Sequence, residues 1–120
     1  MTVEQKIEKV KEVVHAIGVP SHVKGYLYLV AAIVKCAENP DCLKNFSKQV
    51  YPFVAEQYKV TEPIVKREMN HALQIAWDRG MLAEYFEGMD KKPTTKKVVT
   101  LIVDGLRLKD ESNHKDDSVR

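Results

Sequence analysis

The sequence predicts an all-α protein, a compact bundle of about six helices that contains a helix-turn-helix. Three observations predict it. Apolar residues recur at the three- and four-residue spacing of helix faces along most of the chain. Proline and glycine punctuate those runs at Gly18, Pro20, Pro40, Gly80 and Gly88. A short turn, Lys59-Val60-Thr61, joins two of the runs closely enough to fold one against the other.

The first helix is expected from about Val3 to Ile17. Thr2 and Gln5 have capping-box spacing, and Val3, Ile7, Val10, Val14 and Ile17 make a narrow apolar stripe that Gly18 ends. Val19-Pro20-Ser21 turns the chain into a second helix running to about Ala37. Its apolar residues, Tyr26, Leu27, Leu29, Val30, Ala32, Ile33 and Val34, surround much of the circumference, which marks it as the central buried helix. Gly25 within it costs roughly 1 kcal/mol of helix propensity. Close approach of another helix is the expected compensation.

Asn39-Pro40-Asp41 is a break, and a loop to Ser47 leads to the third helix, Lys48 to Tyr58. There Val50, Phe53, Val54 and Tyr58 repeat at helical spacing, with Pro52 placed in the first turn, where it is tolerated. The fourth helix, Glu62 to Arg79, gives the sharpest signal. Thr61 is placed to cap it, Pro63 sits in its first turn and Gly80 stops it. Val65, Met69, Ala72, Leu73 and Ala76 form its apolar stripe. A short fifth helix follows from Met81 to Glu87, with Leu82, Tyr85 and Phe86 inward, and then a basic loop from Gly88 to Pro93. The last helix starts at Thr94 or Thr95 and ends near Leu108, burying Val98, Val99, Ile102, Val103 and Leu106. Residues 109–120 have almost nothing to bury and read as a disordered charged tail, which leaves residues 1–108 as one domain.

Composition bounds the function. The chain has 120 residues, 44% of them hydrophobic, enough for one domain with a real core. A formal net charge of +2 does not by itself indicate a polyanion partner. The tail holds three basic and four acidic residues, so the body is one charge more positive than the whole. No apolar run approaches the ~20 residues of a membrane span, and no signal core follows a basic start, so a cytoplasmic location is expected. Cys36 and Cys42 are expected to be free thiols; they lack zinc spacing. His15, His22, His71 and His114 show no ligand spacing, no glycine-rich phosphate loop occurs and neither cysteine sits in a nucleophile motif. No enzyme, cofactor or metal is expected.

The polar face of the fourth helix carries the functional argument. Opposite the apolar stripe lie Lys66, Arg67, Asn70, His71, Gln74 and Asp78. Arg and Lys donate to guanine O6 and N7, and Asn or Gln pairs bidentately with adenine, so this face has the chemistry of a recognition helix in a DNA major groove. Periodicity alone gives the same look to any solvated helix. The compact turn before it favours the helix-turn-helix.

The residues Ile17-Gly18-Val19-Pro20, His22 to Leu29, Val50-Tyr51-Pro52, Val65, Arg67, His71-Ala72, Ala76-Trp77, Arg79-Gly80, Lys92-Pro93-Thr94 and Leu106-Arg107-Leu108 closely resemble the C-terminal effector domain of stage zero sporulation protein A, the response regulator that starts endospore formation in Firmicutes. The likeness covers roughly Lys6 to Leu108. It implies an all-helical transcription factor with an embedded helix-turn-helix that binds double-stranded DNA at a box with a TGTCGAA-like core, often in tandem copies, so that another copy of itself is an implied partner. In the family a phosphorylated receiver precedes this domain. No receiver segment is present here, so the chain reads either as an excised domain with an added Met1 or as a free-standing relative not controlled by its own phosphorylation.

The departures from the family pattern are specific. The family helix typically begins Ser-Arg-Val-Glu-Arg, with a further Arg before the His; this chain has Pro63-Ile64-Val65-Lys66-Arg67 and then Asn70 before His71. Ile64 cannot donate, though it can pack on a thymine methyl, and Lys66 reverses the charge of the family Glu, so an altered box is expected. The segment between Trp77 and Lys92 is several residues shorter than in the family, where it contributes contacts to the RNA polymerase sigma factor. Activation through that partner is therefore less secure than DNA binding.

The base-reading candidates are Ile64, Lys66, Arg67, Asn70, His71 and Gln74. Lys48, Lys59, Thr61, Lys92, Thr94 and Lys96 are the phosphate candidates, the last three near the start of the final helix, where charge and free N–H groups converge. Each has an ordinary reading too: a solvated loop for the lysines, a partly buried histidine for His71 and a protein contact for Ile64. Trp77 and Tyr26 read as core. A protein-interaction module that keeps the fold but has lost operator recognition, and regulates a partner or a full-length relative, is the alternative.

Overall fold

Reciprocal capping starts the chain. In the computed structural model, Thr2 Oγ1 accepts the Gln5 N–H at 3.1 Å and Gln5 Oε1 accepts the Thr2 N–H at 2.8 Å. The predicted capping box therefore opens helix α1 (Val3–Ala16) with two otherwise free donors satisfied. The structure describes residues 2–119 and, within the last helix, side chains as far as Arg107. Val10 and Val14 of α1 are buried, as is Ile17 at its end, but Val3 is 59% exposed rather than part of the stripe. Lys6 pairs with Glu38 at 3.7 Å, so the second helix ends level with the second turn of α1 and offers Val3 nothing to pack on.

That second helix, α2 (Lys24–Glu38), lies at the centre, as expected, and packs against α1, α3, α4 and α6. Tyr28, Leu29, Val30, Ala32, Ile33 and Cys36 are its buried side chains. Gly25 is buried against the fourth helix, where an added Cβ would collide with the Glu68 carbonyl and approach the Ala72 Cβ to 2.7 Å. The close approach expected at this glycine is real. Leu27 departs from expectation: it is 43% exposed, on the side of α2 that borders an open groove shared with Val34 and Phe53.

A 3₁₀ turn (Pro40–Leu43) follows and buries Cys42. Both cysteines are free and buried, and Cys42 Sγ donates to Gln49 Oε1 at 3.3 Å. Burial, reinforced by the neighbouring Cys42, pushes the Cys36 thiol from its ordinary 9.0 up to about 12.

Helix α3 spans Phe46–Tyr58, two residues earlier than expected, so Pro52 lies inside the helix and not in its first turn. The cause is Phe46, buried and edge-on to Tyr51 at 5.2 Å, which anchors an extra half-turn. Pro52 deprives the Lys48 carbonyl of its helical donor, at an exposed position. Phe53, expected in the core, is 37% exposed with the Lys35 ammonium 4.3 Å from its ring centre, and Tyr51 is buried in its place.

Helix α4 (Glu62–Asp78) buries Val65, Met69, Ala72, Leu73 and Ala76, the predicted stripe. Gly80, at φ +77°, ends it. Helix α5 (Met81–Tyr85) is shorter than expected because Glu87 and Gly88 are both left-handed and close it, with the Gly88 N–H donating to the Ala83 carbonyl at 2.7 Å. Leu82 is buried and Phe86 half-buried, whereas Tyr85 faces solvent.

Helix α6 spans Thr95–Val119, past the expected stop near Leu108, since no proline or glycine interrupts the chain after Gly105. Val98, Val99, Ile102 and Val103 are buried and Leu106 is partly so. The charged tail expected over residues 109–120 lies outside the residues whose side chains are described. Among the described residues there are no strands.

The two helical glycines should respond oppositely to alanine. Gly25→Ala forces α2 off the α4 backbone and should lower stability by about 1–3 kcal/mol, whereas Gly105→Ala, with open space around its Cβ, should raise it by about 0.5–1 kcal/mol in urea titrations. The buried thiols should resist aromatic disulfide reagents at neutral pH and react fully only after unfolding. Because the Cys36 pKa is raised in the folded state, its contribution to stability is present below the ordinary thiol value and is lost between about 9 and 12, a loss that Cys36→Ala should remove from the alkaline unfolding curve.

Candidate nucleic-acid interface

The turn between α3 and α4 fixes the geometry of the candidate site. Lys59 adopts the left-handed conformation (φ +55°, ψ +48°), the Val60 N–H donates to the Ala55 carbonyl at 3.0 Å and the Lys59 N–H to Glu56 at 3.3 Å. This closes α3 within one residue and sends the chain directly into α4. The two helices pack on each other and on α2. A left-handed lysine is disfavoured by roughly 1 kcal/mol relative to glycine. Its presence keeps an exposed cation at the tip of the turn.

Thr61 holds the N-cap position of α4, and its carbonyl accepts the Val65 N–H at 3.2 Å, but its hydroxyl makes no capping bond. The expected side-chain cap is absent: Pro63 has removed the second N–H of the helix, and the hydroxyl does not bond the third, on Ile64. Thr94 supplies the contrast: its hydroxyl accepts the Lys97 N–H at 3.2 Å and caps α6.

At 100° per residue, Arg67, Gln74 and Asp78 lie opposite the buried stripe of α4, with Lys66 and Asn70 on one flank and Ile64 and His71 on the other. All are exposed except Ile64, which is half-buried. Among the described residues, the side chains of Lys48, Lys59, Arg67, His71 and Lys96 make no hydrogen bond or ion pair. Lys66 is positioned from below, its ammonium 5.1 Å from the Tyr51 ring centre.

Two predicted base readers are already engaged. Gln74 donates through Nε2 to Asp78 Oδ1 at 2.8 Å and accepts at Oε1 from Lys92 Nζ at 2.7 Å. Bidentate pairing with adenine would cost both bonds. Asn70 Oδ1 accepts from the Thr95 hydroxyl at 3.0 Å, and Thr95 is only 4% exposed. Lys92 and Thr95 thus tie the basic loop and the start of α6 to the polar face of α4. A groove of about 450 Å³, lined by Ser47, Tyr51, Asn70, Lys92, Thr94 and Lys96 among others, lies where the starts of α3 and α6 meet that face.

The sequence reading missed Tyr51 and Thr95 as organisers of this surface. Burial raises the Tyr51 phenol above its ordinary range, with the Thr95 hydroxyl opposing that rise. The available signal was the Thr94-Thr95 pair at a helix start, of which only one member can cap. On the far side, Arg79 Nη1 donates to the Gly18 carbonyl at 3.2 Å, anchoring the end of α4 to the turn between α1 and α2. Trp77 and Tyr26 are partly buried and packed against the core, as expected.

The family model described as Sporulation initiation factor Spo0A C terminal matches residues 10–106 of the chain. The matched range contains α2 to α5, the whole helix-turn-helix and every residue of the polar network described above.

The two threonines at helix starts should separate under mutation. Thr94→Ala should lower stability by about 1 kcal/mol, because it removes a cap, and Thr61→Ala by less than about 0.5 kcal/mol. Paired thermal and urea unfolding curves read both.

Proposed function

The chain belongs to the sporulation initiation factor Spo0A C-terminal family, a family of DNA-binding domains and not of enzymes, and from that premise we infer that it is a sequence-preferring, double-stranded-DNA-binding transcription regulator with an altered target box. The observation that carries this reading is the set of unengaged side chains on the exposed face of a complete helix-turn-helix. Arg67 projects from the first half of α4, the part that reaches base edges in this motif, and His71 from just past its middle.

In this reading α4 lies in the major groove. Arg67 donates to guanine O6 and N7, His71 bonds an adjacent base edge or phosphate, and Ile64 packs on a thymine methyl. Lys66, steadied over Tyr51, donates where the family acid would accept, so the box changes at that position. Lys59 and the unbonded Thr61 hydroxyl lie at the turn of the helix-turn-helix, and Lys48 lies at the start of α3. Together with Lys92, Thr94 and Lys96, at the start of α6, they set register through phosphates. Gln74 contributes by holding Lys92 rather than by reading a base. The protein acts in the cytoplasm, and no helix among the described residues is long and apolar enough to cross a membrane. Adjacent copies on tandem boxes fit the same reading. The shortened stretch around α5 gives contact with a sigma factor less support.

Fluorescence anisotropy of the chain with duplexes carrying the family box, a scrambled box and boxes selected from random sequence tests this. Binding should weaken steeply as salt rises, with a selected box preferred over the family box. Arg67→Ala should cost about 1–3 kcal/mol on the selected box only, and Lys96→Ala should weaken all duplexes and reduce the salt slope by about 1. Absence of binding to any duplex at low salt would overturn the reading in favour of the protein-interaction alternative.

A further inference from the structure

Asn70 stands where a base-reading side chain is expected, yet its amide is not free to choose how it presents itself. Its oxygen accepts the Thr95 hydroxyl proton at 3.0 Å. Thr95 is 4% exposed and belongs to α6, so the amide oxygen is drawn toward the protein and the amide nitrogen is left on the solvent side. The hydroxyl of Thr95 has one proton to give. That proton goes to Asn70 Oδ1, the one hydrogen bond the Thr95 hydroxyl makes among the described residues.

We propose that Thr95 makes Asn70 a donor-only reader, so that this position of α4 selects a base whose major-groove edge only accepts, guanine or thymine, and discriminates against adenine, whose edge also donates. The inference rests on the DNA-binding reading above and adds a base class to it. Adenine requires Asn to accept from N6 and donate to N7 at once, whereas guanine O6 and N7 and thymine O4 only accept. An amide with its oxygen held inward satisfies the second pattern and fails the first. Thr95 is accordingly a positioning residue: it touches no base and acts through Asn70.

The test is selection of duplexes from a random library by the full chain and by four variants, followed by anisotropy on single-base substitutions of each selected box. Wild type should show one position, lost in Asn70→Ala, where guanine or thymine binds about tenfold or more tightly than adenine. Thr95→Val keeps the volume but releases the amide, and should bring adenine to within about threefold of the preferred base. Thr95→Ser restores the hydroxyl and should restore the preference. Asn70→Asp replaces the outward donor with an acceptor and should turn the preference toward cytosine. Circular dichroism melting confirms that each variant is folded. Adenine preferred at that position by wild type, or a preference unmoved by a folded Thr95→Val, would overturn the assignment while leaving the DNA-binding reading intact. A wild-type chain that binds no duplex would remove both.

Discussion

The contact on which the fold depends is the backbone-to-backbone approach of α2 and α4 at Gly25. A side chain there would meet the Glu68 carbonyl, so the spacing between the central helix and the exposed polar helix is set by the absence of a Cβ. Everything on the polar face inherits that spacing. Met69, Ala72, Leu73 and Ala76 are buried by the same contact, and their helical neighbours Arg67, Asn70, His71 and Gln74 are thereby turned outward. Moving α4 out by the width of a methyl group would stretch the Thr95 bond, which comes from α6, a helix that packs on α2 as well as on α4.

The polar face is therefore two regions with different chemistry. Its first half, from Ile64 to His71, is largely open, with Lys66 steadied by an aromatic ring and Asn70 by a buried hydroxyl. Its second half is closed by the chain Lys92–Gln74–Asp78, in which a lysine, an amide and a carboxylate satisfy one another. Exposed bonds of this kind add little stability. Their effect is to hold the basic loop against the helix.

Much of the architecture was legible in the sequence because helix faces are written in period. The α4 stripe, the α6 stripe, the Thr2–Gln5 box and the stop at Gly80 follow from local spacing alone, and the structure has them. The errors share a cause: periodicity says which residues are apolar on a face, not whether a neighbour covers it. Leu27, Phe53 and Tyr85 each lie on a plausible inward face and each ends in solvent. Pro52 was misplaced because the burial of Phe46, a tertiary effect, extends α3 backwards. The candidate DNA surface was legible as a list of donors and illegible as a network. Whether Gln74 or Asn70 is free depends on Lys92 and Thr95, which lie far along the chain and adjoin α4 only once the last helix is docked.

The closed second half of α4 also limits how much the molecule can say. On the proposed reading, the open stretch from Ile64 to His71 advances only about 12 Å along the helix, enough to span about four stacked base pairs. A word that short recurs roughly every few hundred base pairs of random sequence, far too often to mark one promoter among the million or more sites of a genome. A single copy of this domain therefore carries part of an address. On the same reading, the remainder is written in the spacing and number of adjacent words, and the arrangement of boxes, more than the text of any one of them, distinguishes a regulated gene from background.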